Sequence, residues 1–105
     1  MKTEKSGGGP VPEGHREINP ATGQQRAYVV LTANERTKGF VRPVRRTYVH
    51  QKCGCATTMS QDIAETYARD PAFYSGTFCV GCRAHFPVGA AGEFVWDGTD
   101  ERVGT

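Results

Sequence analysis

No stretch of this 105-residue chain approaches the ~20 consecutive apolar residues that cross a bilayer, so neither a membrane-spanning protein nor a membrane partner is expected. The opening segment, Met1 to Pro10, also lacks the apolar core of a secretory signal, and export is not expected either. Apolar side chains are scarce at 37%, against roughly 45–50% in an ordinary globular domain when glycine is counted. Neither GxxxxGK[ST] nor GxGxxG occurs, which removes the usual phosphate-cradling loops. There is no internal repeat. The length allows one domain, and the 13 glycines and 6 prolines imply that the folded part is smaller than the chain.

Charge of one sign is missing from neither half, but the balance differs. Residues 1–52 carry ten Lys/Arg and four acidic groups, while residues 53–105 carry three and seven. The overall charge of +2 permits a basic contact face without announcing a nucleic-acid binder.

Residues 1–26 read as a flexible tail, because SGGGPVPEGH has too little apolar content to offset the entropy of ordering. Order is expected from Ala27. The run AYVVLT predicts a short strand, and Thr32 with Glu35 fits a capping box opening a helical turn over about 33–38. Phe40 to His50 is rich in Val, Tyr and Thr, but Pro43 cannot donate to a ladder, which predicts an edge or broken strand. The clearest helix covers about 59–69. Met59, Ile63 and Tyr67 recur four apart, Thr58 and Gln61 fit a second capping box, and Pro71 stops it. GTFC, AHFPV and EFVW follow as extended pieces, with Asp97-Gly98 as a hairpin turn and a return through Val103.

About 80 residues with one modest helix and short strands make a thin core, and such domains need a staple. Four cysteines are available, Cys53 and Cys55 in one group and Cys79 and Cys82 in the other. In a reducing compartment structural disulfides are rare, so a metal is the better staple. Cys79-Val-Gly-Cys82 has the two-residue spacer that grips one ion from a tight turn. His50-Gln-Lys-Cys53-Gly54 repeats that spacer with histidine first. The favoured set is His50, Cys53, Cys79 and Cys82, with Cys55 as the reserve ligand and His85 as a further spare. One imidazole and three thiolates suit Zn²⁺, and a site filled by four protein ligands is structural rather than catalytic.

The competing chemistry is thiol redox or another small-enzyme role at Cys79/Cys82. It lacks a surrounding βαβ pattern, and no helix obviously opens after Cys79. Arg42, Arg45, Arg46 and Lys52, interleaved with Phe40 and Tyr48, could lie on phosphates while the rings stack on bases.

GFVRPVRRTYVHQKCG, TTMSQDIAETYARDPAFYSGTFCVGC, HFPV and EFVWDGTDERVGT resemble a group of small zinc-ribbon-like proteins of tailed bacteriophages and prophages, to which no activity is attached. The likeness covers roughly residues 35–105. It implies a phage-encoded protein in the cytoplasm of an infected bacterial host, with HxxCG and CxxC mapping onto His50, Cys53, Cys79 and Cys82. The combined expectation is an α+β domain of zinc-ribbon type over 27–105, with a short antiparallel sheet, one inserted helix, one structural zinc and a flexible N-terminal tail. It would act without catalysis, as a binding module for nucleic acid or a host protein.

Overall fold

Alternating burial along Thr47–His50 turns Tyr48 and His50 inward, and this strand carries the centre of the fold. In the computed structural model, which describes residues 2–105, the elements run β1 (Thr3–Lys5), β2 (Val29–Leu31), α1 (Ala33–Arg36), β3 (Thr47–His50), β4 (Ala56–Thr58), α2 (Gln61–Arg69), β5 (Gly76–Cys79), β6 (Ala84–Pro87) and β7 (Phe94–Trp96). They form three small antiparallel sheets: β1-β2, β4-β3-β7 and β5-β6. No helix among the described residues is long and apolar enough to cross a membrane.

The core is as thin as the composition implies. Tyr48, Met59, Ala64, Tyr67, Cys79, Phe94, Trp96 and Val103 make one buried cluster that ties β3, α2, β5 and β7 together. Tyr67 meets Trp96 edge-on at 5.7 Å, and Tyr48 meets Phe94 edge-on at 5.3 Å. The turn after β7 forms as Asp97-Gly98 predicts, with Val103 returning to donate to the Phe94 carbonyl.

Several expectations need correction. Of the two expectations for residues 40–50, an edge strand or a broken one, the edge position is wrong: the strand is confined to Thr47–His50 and is central in its sheet, with β4 and β7 on either side. Pro43 lies outside the ladder, in an irregular stretch whose Val41 and Arg42 amides both donate to the Ala68 carbonyl. The helix is capped by Ser60 and not by Thr58, which belongs to β4 and meets the Thr47 hydroxyl at 2.9 Å. The Ser60 carbonyl accepts the first helical bond, from the Ala64 amide, but its hydroxyl makes no cap bond and donates instead to the Asp62 carboxylate. At the shorter helix only half of the expected capping box forms: the Thr32 hydroxyl accepts from the Glu35 amide at 3.4 Å, while the Thr32 amide donates to the Lys2 carbonyl and the Glu35 carboxylate takes Lys38 instead.

The largest departure is at the N-terminus, where the structure shows no flexible tail. Thr3–Lys5 pairs with Val29–Leu31, and the Ser6 hydroxyl and Gly7 amide both donate to the Asp62 carboxylate at 2.8 Å. Gly23 sits against the chain at Arg83: a Cβ there would lie 2.0 Å from the Arg83 carbonyl oxygen, and its φ of +81° favours glycine besides. Low apolar content misjudged this segment because backbone pairing and one carboxylate hold it, and neither registers as hydrophobicity.

Burial works against ionised Asp62, but donation from Ser60, Gly7 and Ser6 outweighs it and holds the carboxyl below its ordinary 3.8. A depressed carboxylate stabilises the fold at neutral pH, and that contribution disappears as pH falls below 3.8 and through the lower folded value. Asp62→Ala is expected to raise amide exchange at residues 6–9 severalfold at pH 7. That corresponds to about 1 kcal/mol for charge-assisted bonds discounted for solvent. Exchange unchanged from the parent protein would show that Asp62 does not hold this segment.

Candidate metal centre

Two hairpin turns face each other. His50 ends β3, and the turn through Cys53 leads into β4; Cys79 ends β5, and the turn through Cys82 leads into β6. The first turn is closed by the Cys53 and Gly54 amides donating to the His50 carbonyl, and the second by the Arg83 amide donating to the Cys79 carbonyl. A bond from the Val80 amide to the Thr57 hydroxyl, 3.1 Å, links the two hairpins. Gly81 permits the close approach, since a Cβ there would lie 2.4 Å from the Cys55 sulfur.

The consequence is a four-donor cluster. One ligand atom each from His50, Cys53, Cys79 and Cys82 lies within 4.8 Å of the others, with His50 and Cys79 buried and Cys53 and Cys82 exposed. His50 Nδ1 is 3.2 Å from Cys53 Sγ and 3.6 Å from Cys82 Sγ, and the sulfurs of Cys53 and Cys79 are 3.5 Å apart. Tetrahedral zinc bonds of about 2.3 Å to sulfur and about 2.0 Å to nitrogen imply edges of about 3.8 Å and about 3.5 Å. These three edges lie within a few tenths of an ångström of those values, as a cluster able to hold a single metal ion requires.

Electrostatics points the same way. The Cys55 amide, which donates to Cys53 Sγ at 3.5 Å, is the largest influence lowering the Cys53 thiol to about 6. Desolvation, then crowding by Cys53 and Cys79, pushes Cys82 up to about 12. The Cys53 thiolate forms readily and Cys82 beside it then resists ionising, which describes a site short of positive charge. A divalent cation held by these residues would supply that charge and let their sulfurs deprotonate.

His50 is held from both sides. Its ring stacks on Phe86 at 4.5 Å and on Phe94 at 4.8 Å, and Nε2 faces Glu93 Oε1 at 2.8 Å. An ionised carboxylate only accepts, so Nε2 carries a proton, and Nδ1, which faces the sulfurs, is the nitrogen that would be left to ligate a metal. Burial opposes the imidazolium, but the contacts with Glu93 and Cys53 outweigh it and raise the His50 pKa above 6.5. The same bond to His50 is the largest cause holding Glu93 below the usual carboxylate range. Sequence reasoning missed Glu93. It stands just before β7, and only the pairing of His50 with Phe94 brings it beside the imidazole.

The reserve residues lie outside the four. Cys55 packs partly buried against the core, its thiol pushed up by contact with Cys53, and His85 is engaged by the Tyr28 hydroxyl at 2.8 Å. The basic residues are largely engaged as well. Arg42 donates to the Thr105 carbonyl, Arg46 to the Met59 carbonyl, and Lys52 stands 3.5 Å from Glu93. Arg45 donates to Glu101 at 2.8 Å and lies over the Trp96 ring.

Searched against family models, curated proteins and solved structures, the chain has no match. The chemistry of the site and its local sequence are therefore the guides to function.

Proposed function

We propose that this chain is a non-enzymatic binding module ordered by one structural Zn²⁺, held by His50 Nδ1 and the thiolates of Cys53, Cys79 and Cys82. The convergence of those four donors from two separate hairpins carries the reading. All four positions would be filled by protein, leaving none for an activated water, which favours a structural role over a catalytic one. Zinc suits the mixed nitrogen and sulfur set better than harder cations, which prefer oxygen.

The module acts by contact, and the observations favour a protein partner over nucleic acid. Arg42, Arg45 and Arg46 already have partners within the chain, whereas Phe40 and Val41 stand exposed beside them. The likeness of residues 35–105 to phage-encoded proteins supports placing it in the cytoplasm of an infected bacterium, where thiolates remain reduced.

Thiol labelling with zinc quantitation tests the metal role. Expected are one zinc per chain and protection of Cys53, Cys79 and Cys82 until a chelator is added. A folded, metal-free protein with a reducible Cys79–Cys82 bridge would replace this reading with thiol redox. For the partner, salt-dependent retention on DNA or RNA that is lost in the Arg42→Ala/Lys52→Ala variant would overturn the protein preference.

A further inference from the structure

A cleft of about 460 Å³ opens on the molecule between the N-terminal segment and the face formed by β3, β4, α2 and β5. None of the four metal donors lines it. Its size falls within the roughly 300–1,000 Å³ of small-molecule sites. Tyr48, Met59, Tyr67 and Phe78, all buried, line its interior, and Lys5 and Arg26 stand among the less buried residues around it.

Two observations define what could sit there. The first is an unused polar group. The Tyr48 hydroxyl donates to the Phe78 carbonyl and accepts from Thr77, but the buried Tyr67 hydroxyl has no partner. Buried groups of this kind are few in native folds, and each calls for an explanation. The second is charge. Two cations and no carboxylate line the cleft. Lys5 makes no ion pair among the described residues, and Arg26 has only an exposed one, to Glu17 at 3.8 Å. Such an exposed pair contributes little and competes weakly with a bound anion.

We propose that this cleft binds a small organic anion carrying a flat ring, of the size of a nucleoside monophosphate. The aromatic interior takes the ring, the Tyr67 hydroxyl bonds an atom on its edge, and Lys5 and Arg26 hold the anionic group. The proposal is separate from the zinc reading, because neither the cleft nor its cations involve the metal ligands.

The test is a titration of the isotope-labelled full chain, as purified with its metal, followed through backbone amide resonances. The probes are AMP, GMP, CMP and UMP, with adenosine and inorganic phosphate as separate arms. At least one mononucleotide is expected to shift the amides of Lys5, Ala27, Thr58 and Gly76 saturably, with adenosine and phosphate each about tenfold weaker or more. Lys5→Glu, at the half-buried end of a two-stranded sheet, is expected to weaken binding about tenfold. Tyr67→Phe is expected to weaken it several-fold while leaving the free protein as stable or more so, because an unpartnered hydroxyl is removed. The proposal is overturned if no mononucleotide gives saturable shifts at millimolar concentration, or if phosphate alone reproduces them. It is equally overturned if Lys5→Glu and Tyr67→Phe both leave the affinity unchanged.

Discussion

Treated with excess chelator under reducing conditions at neutral pH, the protein will lose its cooperative thermal transition and most of its strand signal in circular dichroism. The reason is one of scale. Structural zinc contributes on the order of 10 kcal/mol to the folding of small zinc peptides, while whole domains are stable by only about 5–15 kcal/mol. The core that remains without the ion is one cluster built around Tyr48, Tyr67, Phe94 and Trp96. Three sheets of two or three strands surround it, and sheets this small are marginal alone. Cys79→Ser should reproduce the effect in untreated protein, because Cys79 is fully buried and joins the core to the metal cluster. Calorimetry provides the check. A transition of unchanged temperature and enthalpy after complete removal of metal would mean that the apolar interior suffices and that the cluster has another purpose.

Glu93→Gln carries the second large effect: zinc affinity should fall about 10–100-fold, the usual cost of losing the group that orients a histidine ligand. The carboxylate fixes the tautomer through Nε2, whereas a glutamine amide can also turn its NH₂ toward the ring and favour the wrong nitrogen. Lys52→Ala is the matched control. Its ammonium lies 3.5 Å from the same carboxylate but is 72% exposed, so its removal should shift affinity little. Competition against a zinc-binding dye measures both variants. Equal affinities for Glu93→Gln and the parent would remove Glu93 from the site.

The four donors were legible because side chains able to share one metal ion come at local spacings. His50-x-x-Cys53 and Cys79-x-x-Cys82 each fit one turn, and a turn is a short-range object. The same holds for α2, whose Ala64, Tyr67 and Ala68 are buried along one stripe, and for β5 with its buried Thr77, Phe78 and Cys79. Glu93 was not legible, because it reaches His50 across 43 residues and only by way of the β3–β7 register. The N-terminal strand was hidden for a related reason. Thr-Glu-Lys shows no apolar alternation, and its partner begins at Val29. Pro43 misled in the opposite direction: its effect on pairing is real, but it falls four residues before the strand it was expected to disrupt.

Trp96, the sole tryptophan, meets Tyr48 and Tyr67 edge-on at 6.3 Å and 5.7 Å beneath the Arg45 guanidinium. Tyr48 belongs to the strand that bears His50, and Tyr67 belongs to α2. Excitation energy absorbed by either phenol therefore passes to one indole, whose emission colour reports solvent entry while its sensitised intensity reports the separation of helix from sheet. The protein thus contains its own optical gauge of opening around Trp96, read without any attached dye.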